Sequence, residues 1–140
     1  MTTATIDALM LDYAWTVHDF QHLANSLSLL TAAIGADEFE ERNFYSDIEA
    51  LTMAAAESPA HRALLDRLTA EDKAVLTRLK GARDRLVYSF FVENRIDRDN
   101  ADAVAVKARE KLNSLRADIK EGRKVLDRAY AILAEFGEEA

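Results

Sequence analysis

With 140 residues, one proline, four glycines and 49 % hydrophobic residues, the chain has the size of one domain, residues 1–140, and the composition of a helical one. It has no cysteine, which excludes disulfides and thiolate metal sites and fits a reducing cytoplasm. Its net charge of −7 is uneven: residues 1–61 hold ten acids and one base, Arg42, and residues 62–140 hold seventeen bases and fifteen acids, so any basic site is expected in the second half.

The opening MTTATIDALMLDYAW carries no basic leader, and each apolar run is broken well short of a membrane-spanning length. A cytoplasmic protein with no membrane association is expected. The first helix is predicted from about residue 7 to residue 34, stopped by Gly35. Ile6, Tyr13, Phe20, Leu27 and Ile34 recur every seven residues, and Leu9, Met10, Val17, Leu23, Ala24 and Leu30 complete one buried stripe. Leu11, Trp15, His18, His22 and Leu29 form a second stripe on another face. A helix apolar on two faces is central in its domain or lies at an interface.

After the acidic connection GADEFEERNF, Phe44, Ile48, Leu51 and Ala55 mark a second helix, which the Ser58-Pro59 pair should end. HRALLDRL reads as a short helix with Pro59 near its first turn. TAED then opens another, Thr69 capping it and Asp72 reaching back. This helix carries Val75, Leu76, Leu79, Ala82, Leu86 and Phe90. RIDRDN at 95–100 is a polar break before a last long amphipathic helix reaching about residue 136. Its seam is Ala108, Leu112, Leu115, Ile119, Gly122, Leu126, Ala129, Leu133 and Phe136, in steps of four and three that suit packing along a partner helix. Gly122 in that seam lowers helix propensity by about 1 kcal/mol, so a close helix–helix approach is expected there. The predicted fold is all-α: one bundle of four to five helices.

Two stretches carry candidate chemistry. In HDFQH, His18 and His22 are spaced to share a helix face and ligate a metal, with Asp12, Asp19 and Asn25 near. Bundle metal sites draw ligands from facing helices, and the only other histidine is His61, so packing is the reading and no metal or other cofactor is expected. VHDFQHLANSLSLL is also similar to the phospho-accepting helix of histidine phosphotransfer bundles, although Gln21 and His22 stand where such domains carry lysine and glycine. That resemblance implies His18 or His22 as an alternative phosphotransfer site.

The second stretch is GARDRLVYSFFVEN, residues 81–94. Arg83, Asp84, Tyr88, Phe90 and Phe91 resemble the signature of the HEPN superfamily, all-helical domains of RNases and toxin–antitoxin systems. There an arginine and a polar residue precede a histidine by a few residues, and an aromatic follows. The order of helices resembles small HEPN-like proteins over most of the chain. The resemblance implies a homodimer whose motif helices face a shared cleft, with Arg83 and Tyr88 in the catalytic positions. Arginine suits a phosphate because its fork donates two parallel hydrogen bonds. Tyr88 replaces the histidine, and a phenol is a poor general base at neutral pH. The implied role is therefore a non-catalytic or weakly active RNA- or partner-binding accessory of a bacterial toxin–antitoxin or defence system.

Asp84, Arg85, Arg78, Lys80 and Phe91 are the binding candidates, with Arg95 and Arg98 near, in a cleft suited to single-stranded RNA. A protein-interaction bundle without nucleic-acid function is the main alternative, and a metal-independent endoribonuclease another. In the first of these the arginines are solvated or ion-paired and Phe91 packs in the core or at a dimer interface.

Overall fold

In the computed structural model, which describes residues 2–35, 43–97 and 99–139, every regular element is helical. They are α1 (Thr2–Ala33), α2 (Phe44–Thr52), α3 (Pro59–Arg67), α4 (Ala70–Asp84), a π-helical turn (Arg85–Ser89), α5 (Phe90–Glu93) and α6 (Ala101–Glu139). The protein is an all-α bundle with a long C-terminal helix. Among the described residues no helix is long and apolar enough to cross a membrane.

Local chemistry sets the helix ends. Gly35, at φ +73°, takes the left-handed conformation that closes a helix at least cost when no Cβ is present. Asn43 and Ser46 form a capping box at the start of α2. Thr69 and Asp72 form the one expected at the start of α4. α1 starts earlier than its periodicity suggests, at Thr2, and α2 stops at Thr52, ahead of the Ser58-Pro59 pair.

His61 supplies a reason for the early stop. In a longer α2 the Ala50 carbonyl would accept the Ala54 N–H. Instead both Met53 and Ala54 donate to the Glu49 carbonyl, and the Ala50 carbonyl meets His61 Nε2 at 2.5 Å. The Glu57 N–H donates to His61 Nδ1 at 3.0 Å. That bond makes Nδ1 the acceptor and leaves Nε2 to donate to the Ala50 carbonyl, so both nitrogens of the fully buried ring have partners. Ser58 caps α3 by accepting from the His61 N–H and donates in turn to the Ile34 carbonyl, tying the end of α1 to the start of α3.

Long-range contacts give the direction of each helix. Arg109 binds Asp12 and Arg123 binds Ser26, both across 97 residues, so α1 and α6 run parallel. α4 descends against them: Arg67 at the end of α3 reaches Glu135, Asp72 reaches Arg128, Leu79 meets Gly122, and Leu86 meets Tyr13. α2 lies antiparallel to α4, with Glu49 on Lys80 and Tyr45 on Asp84. One core cluster includes Leu9, Leu27, Ile48, Leu64, Leu76, Phe90 and Leu112, and so draws on α1 to α6 alike.

Most of the expected buried stripe of α1 lies in that core, but Met10 does not: it is exposed, on the helix side away from α6. The predicted seam of α6 is buried from Ala108 to Ala129, with Leu133 and Phe136 partly covered. At Gly122 the expected close approach is present, since a Cβ there would lie 2.6 Å from Leu79 Cδ1. Leu79 is itself fully buried and has little room to turn aside. Gly122→Ala should therefore destabilise the fold by about 1–2 kcal/mol in urea unfolding, because overpacking outweighs the helix-propensity gain. Leu79→Ala should cost less in the Gly122→Ala background than alone, by about 1 kcal/mol in a double-mutant cycle.

Candidate functional site: an arginine between two tyrosines

Arg83 lies in the last turn of α4, just ahead of the π turn. In an ideal α-helix residues five apart point about 140° away from each other. The wider π turn cancels much of that divergence. Tyr88, five residues on, comes back over Arg83, whose guanidinium carbon lies 5.3 Å from the Tyr88 ring centroid. Tyr45 of α2 covers the same guanidinium from another side at 5.1 Å. The cation therefore has two aromatic faces to which it is attracted electrostatically.

A polar triangle closes the cluster. Arg83 donates to the Tyr45 hydroxyl at 3.3 Å and reaches the Asp84 carboxylate at 3.4 Å. The Tyr45 hydroxyl donates to the same Asp84 oxygen. The Arg83 side chain is only 24 % exposed, while Tyr88 is 67 % exposed and forms the outer lid. The Tyr88 side chain first, and Tyr45 next, push the Arg83 ionisation further up, so this group is a permanent cation. Asp84, by accepting the Tyr45 proton, pushes the Tyr45 phenol above its ordinary range.

The π turn has its own anchor. Tyr13 of α1 donates to the Leu86 carbonyl at 2.6 Å and stacks against Phe90 and Phe91, with ring centroids 5.4 and 4.9 Å away. Shifting the hydrogen-bond ladder by one residue brings both phenylalanines onto one α1 tyrosine. Burial pushes the Tyr13 phenol up. Phe91 thus packs with Tyr13 rather than with Arg83.

The other candidates are dispersed. Lys80 pairs with Glu49 at 3.5 Å. Arg78 is exposed on α4. Arg85 points into a separate shallow recess with Glu93, Lys111 and Asp118. Arg95 is exposed beyond α5, and Arg98 lies outside the described residues, as does the acidic segment 36–42. The structure therefore brings together Arg83, Asp84 and Tyr88, adds Tyr45, and leaves Arg78, Lys80, Arg85 and Phe91 in other surroundings. No histidine joins them: His61 is buried between α2 and α3, and His18 and His22 stand on the outer face of α1. Tyr45 is distant in sequence, and the apolar periodicity that marks α2 gives no sign of it.

A second feature lies between α1 and α6. An open groove of about 740 Å³ is lined on the α1 side by residues including His18, Asp19, His22 and Ser26, and on the α6 side by Arg116, Lys120, Arg123 and Lys124 among others. Trp15 meets His18 edge-on at 5.2 Å and His18 meets His22 at 4.4 Å, so an unbroken line of rings borders it. Leu11, Trp15 and Leu29 are each more than half exposed, as the second stripe requires. Among the described residues no three His, Asp or Glu side chains gather as a metal-binding group. Comparison with protein-family models, with curated proteins and with solved structures finds no match for this chain.

The triangle has a measurable titration. Because the folded Tyr45 holds its proton more tightly than the ordinary phenol of pKa 10.0, its contribution to stability is complete below that value and is lost as pH rises through the raised one. An ultraviolet titration of wild type minus Tyr45→Phe should show a phenol ionising above 10.0, and Asp84→Asn should move it down. A difference curve centred at or below the ordinary value would remove the Asp84 contact from the folded state.

Proposed function

We propose that this chain is a non-catalytic helical bundle that works by docking a protein partner on the outer face of α1. The observation that carries the reading is the exposed stripe of Leu11, Trp15 and Leu29 along one helix face, beside the α1–α6 groove. A tryptophan flanked by leucines and left in water has the composition of an interface anchor. The arginine cluster supports the same reading. Tyr45 and Asp84 both engage Arg83 Nη1 from within the fold, so a phosphate approaching that nitrogen would compete with internal partners. Under the HEPN resemblance this is a member with a degenerate motif, serving as an accessory of a toxin–antitoxin or defence system rather than as its nuclease.

One observation favours RNA binding as a second reading. Tyr88 offers an exposed ring directly over a cation, a combination on which a base can stack.

Arg83→Ala separates the two. Under the docking reading it lowers stability by about 1 kcal/mol, the scale of a cation–aromatic contact, and wild type neither cleaves nor retains single-stranded RNA in filter binding. Tyr88→His tests the catalytic position directly and is expected to create no metal-independent cleavage, since Arg83 Nη1 stays engaged by Tyr45 and Asp84. Salt-sensitive RNA binding by wild type that disappears in Arg83→Ala, with helicity intact, would replace docking by the second reading.

A further inference from the structure

We propose that the occupant of the α1 face is a second copy of this chain, docked antiparallel about a two-fold axis that passes beside position 20. The proposal rests on the docking reading above and names its partner.

The outer face of α1 carries Leu11, Trp15, His18, His22, Asn25 and Leu29, in steps of four, three, four, three and four. All are exposed. This is the spacing of a helix-pairing seam. Over residues 11–29 it extends about 27 Å along the helix. It is also symmetric about position 20. Leu11 mirrors Leu29, His18 mirrors His22, and Trp15 mirrors Asn25. An antiparallel copy therefore sets leucine against leucine at both ends and imidazole against imidazole at the centre. Each Trp15 covers the partner subunit's Asn25. Such an interface is isologous, so one dimer satisfies both faces and leaves no open end.

Charge selects the same partner and direction. α1 carries Asp7, Asp12 and Asp19 and no lysine or arginine. Of the bases in the groove beside it, Arg116 lies 4.0 Å from Asp12, and Arg123 and Lys124 pair with Asp127 and Glu121 within α6, which leaves Lys120 as the cation there without such a pair among the described residues. In the antiparallel register the partner subunit's Asp19 lies level with Gln21. With α1 and α6 parallel and offset by 97 residues, that level falls between Arg116 and Lys120. A parallel pairing would instead set Asp12 on Asp12 and Asp19 on Asp19, with no base on α1 to offset them. An acid-only helix thus brings its Asp19 to the level of Lys120 on its two-fold copy.

The chain is suited to the test, because it contains no cysteine and its one tryptophan is Trp15. Sedimentation velocity of wild type at about 50 µM should return a dimer, a micromolar affinity being ample for detection. Trp15 emission should move to shorter wavelength as concentration rises. Leu11→Glu with Leu29→Glu should weaken association more than tenfold while the circular dichroism melt matches wild type, since both side chains are exposed. Trp15→Cys and Asn25→Cys, made in separate chains and mixed under mild oxidation, should give a covalent dimer that neither gives alone.

A wild-type monomer with unshifted Trp15 emission overturns the self-pairing and gives the face to a different protein. A dimer that persists in the glutamate variant, or a cross-link formed by either single variant alone, overturns the surface or the register. None of these outcomes is the RNA binding that would sink the docking reading itself, so the two failures stay distinct.

Discussion

The parallel pairing of the first and last helices constrains everything else in this bundle. α1 and α6 draw most of their stability from burying an apolar face, and each makes its most extensive contact with the other. Two parallel neighbours at opposite ends of a chain require the intervening segment to travel back along them. α4 makes that return, and its path is pinned at successive levels by Asp72–Arg128, Leu79 on Gly122, and Leu86–Tyr13. Asp72 is nearly buried, and burial alone would raise its pKa. The Arg128 and Thr69 hydrogen bonds outweigh that and hold it below the ordinary carboxylate range. Its contribution to stability is thus present above the ordinary carboxylate pKa and lost as pH falls through the lowered one.

The π turn follows from the same constraint. Once α4 descends past Gly122, its continuation must place Leu86 and Phe90 under α1. Tyr13 stands at that level and holds the Leu86 carbonyl. The widened turn is thus a packing solution, and its by-product is the Arg83–Tyr88 stack. Arginine, acid and aromatics at these positions would serve a phosphate equally well. What separates a ligand site from an internal cluster is whether the fork is already occupied. Here Tyr45 and Asp84 both engage Arg83 Nη1 from within the fold.

This marks where sequence reading stops. The seam of α6, the capping box at Thr69, the glycine stop at Gly35 and the close approach at Gly122 rest on periodicity or on chemistry within four residues. Each is legible in a single sequence. The early end of α2 is not, because it depends on the His61 side chain capturing a carbonyl across a loop. Tyr45 is not legible for the same reason: it joins Arg83 across 38 residues. The π turn is invisible to a pattern search because its spacing of buried residues, Leu79, Ala82, Leu86 and Phe90, is compatible with an unbroken α-helix. Met10 fits the periodic stripe yet lies outside the core, because periodicity cannot tell the middle of a buried stripe from its edge.

The outer face of α1 shows what a polar residue costs and what it specifies. Uninterrupted leucine along the seam positions would bind more tightly, but it would slide by a turn or pair in either direction with little penalty. His18 and His22 interrupt the apolar surface at its centre, where a shifted register would set an imidazole against leucine without a hydrogen-bond partner. Burying an unpaired polar group of that kind costs about 1–3 kcal/mol. In the proposed self-paired register imidazole meets imidazole, which avoids that penalty at the centre. The same residues weaken the face as an indiscriminate hydrophobic surface. Specificity is therefore obtained at the expense of affinity, as with a single polar position in a paired-helix seam.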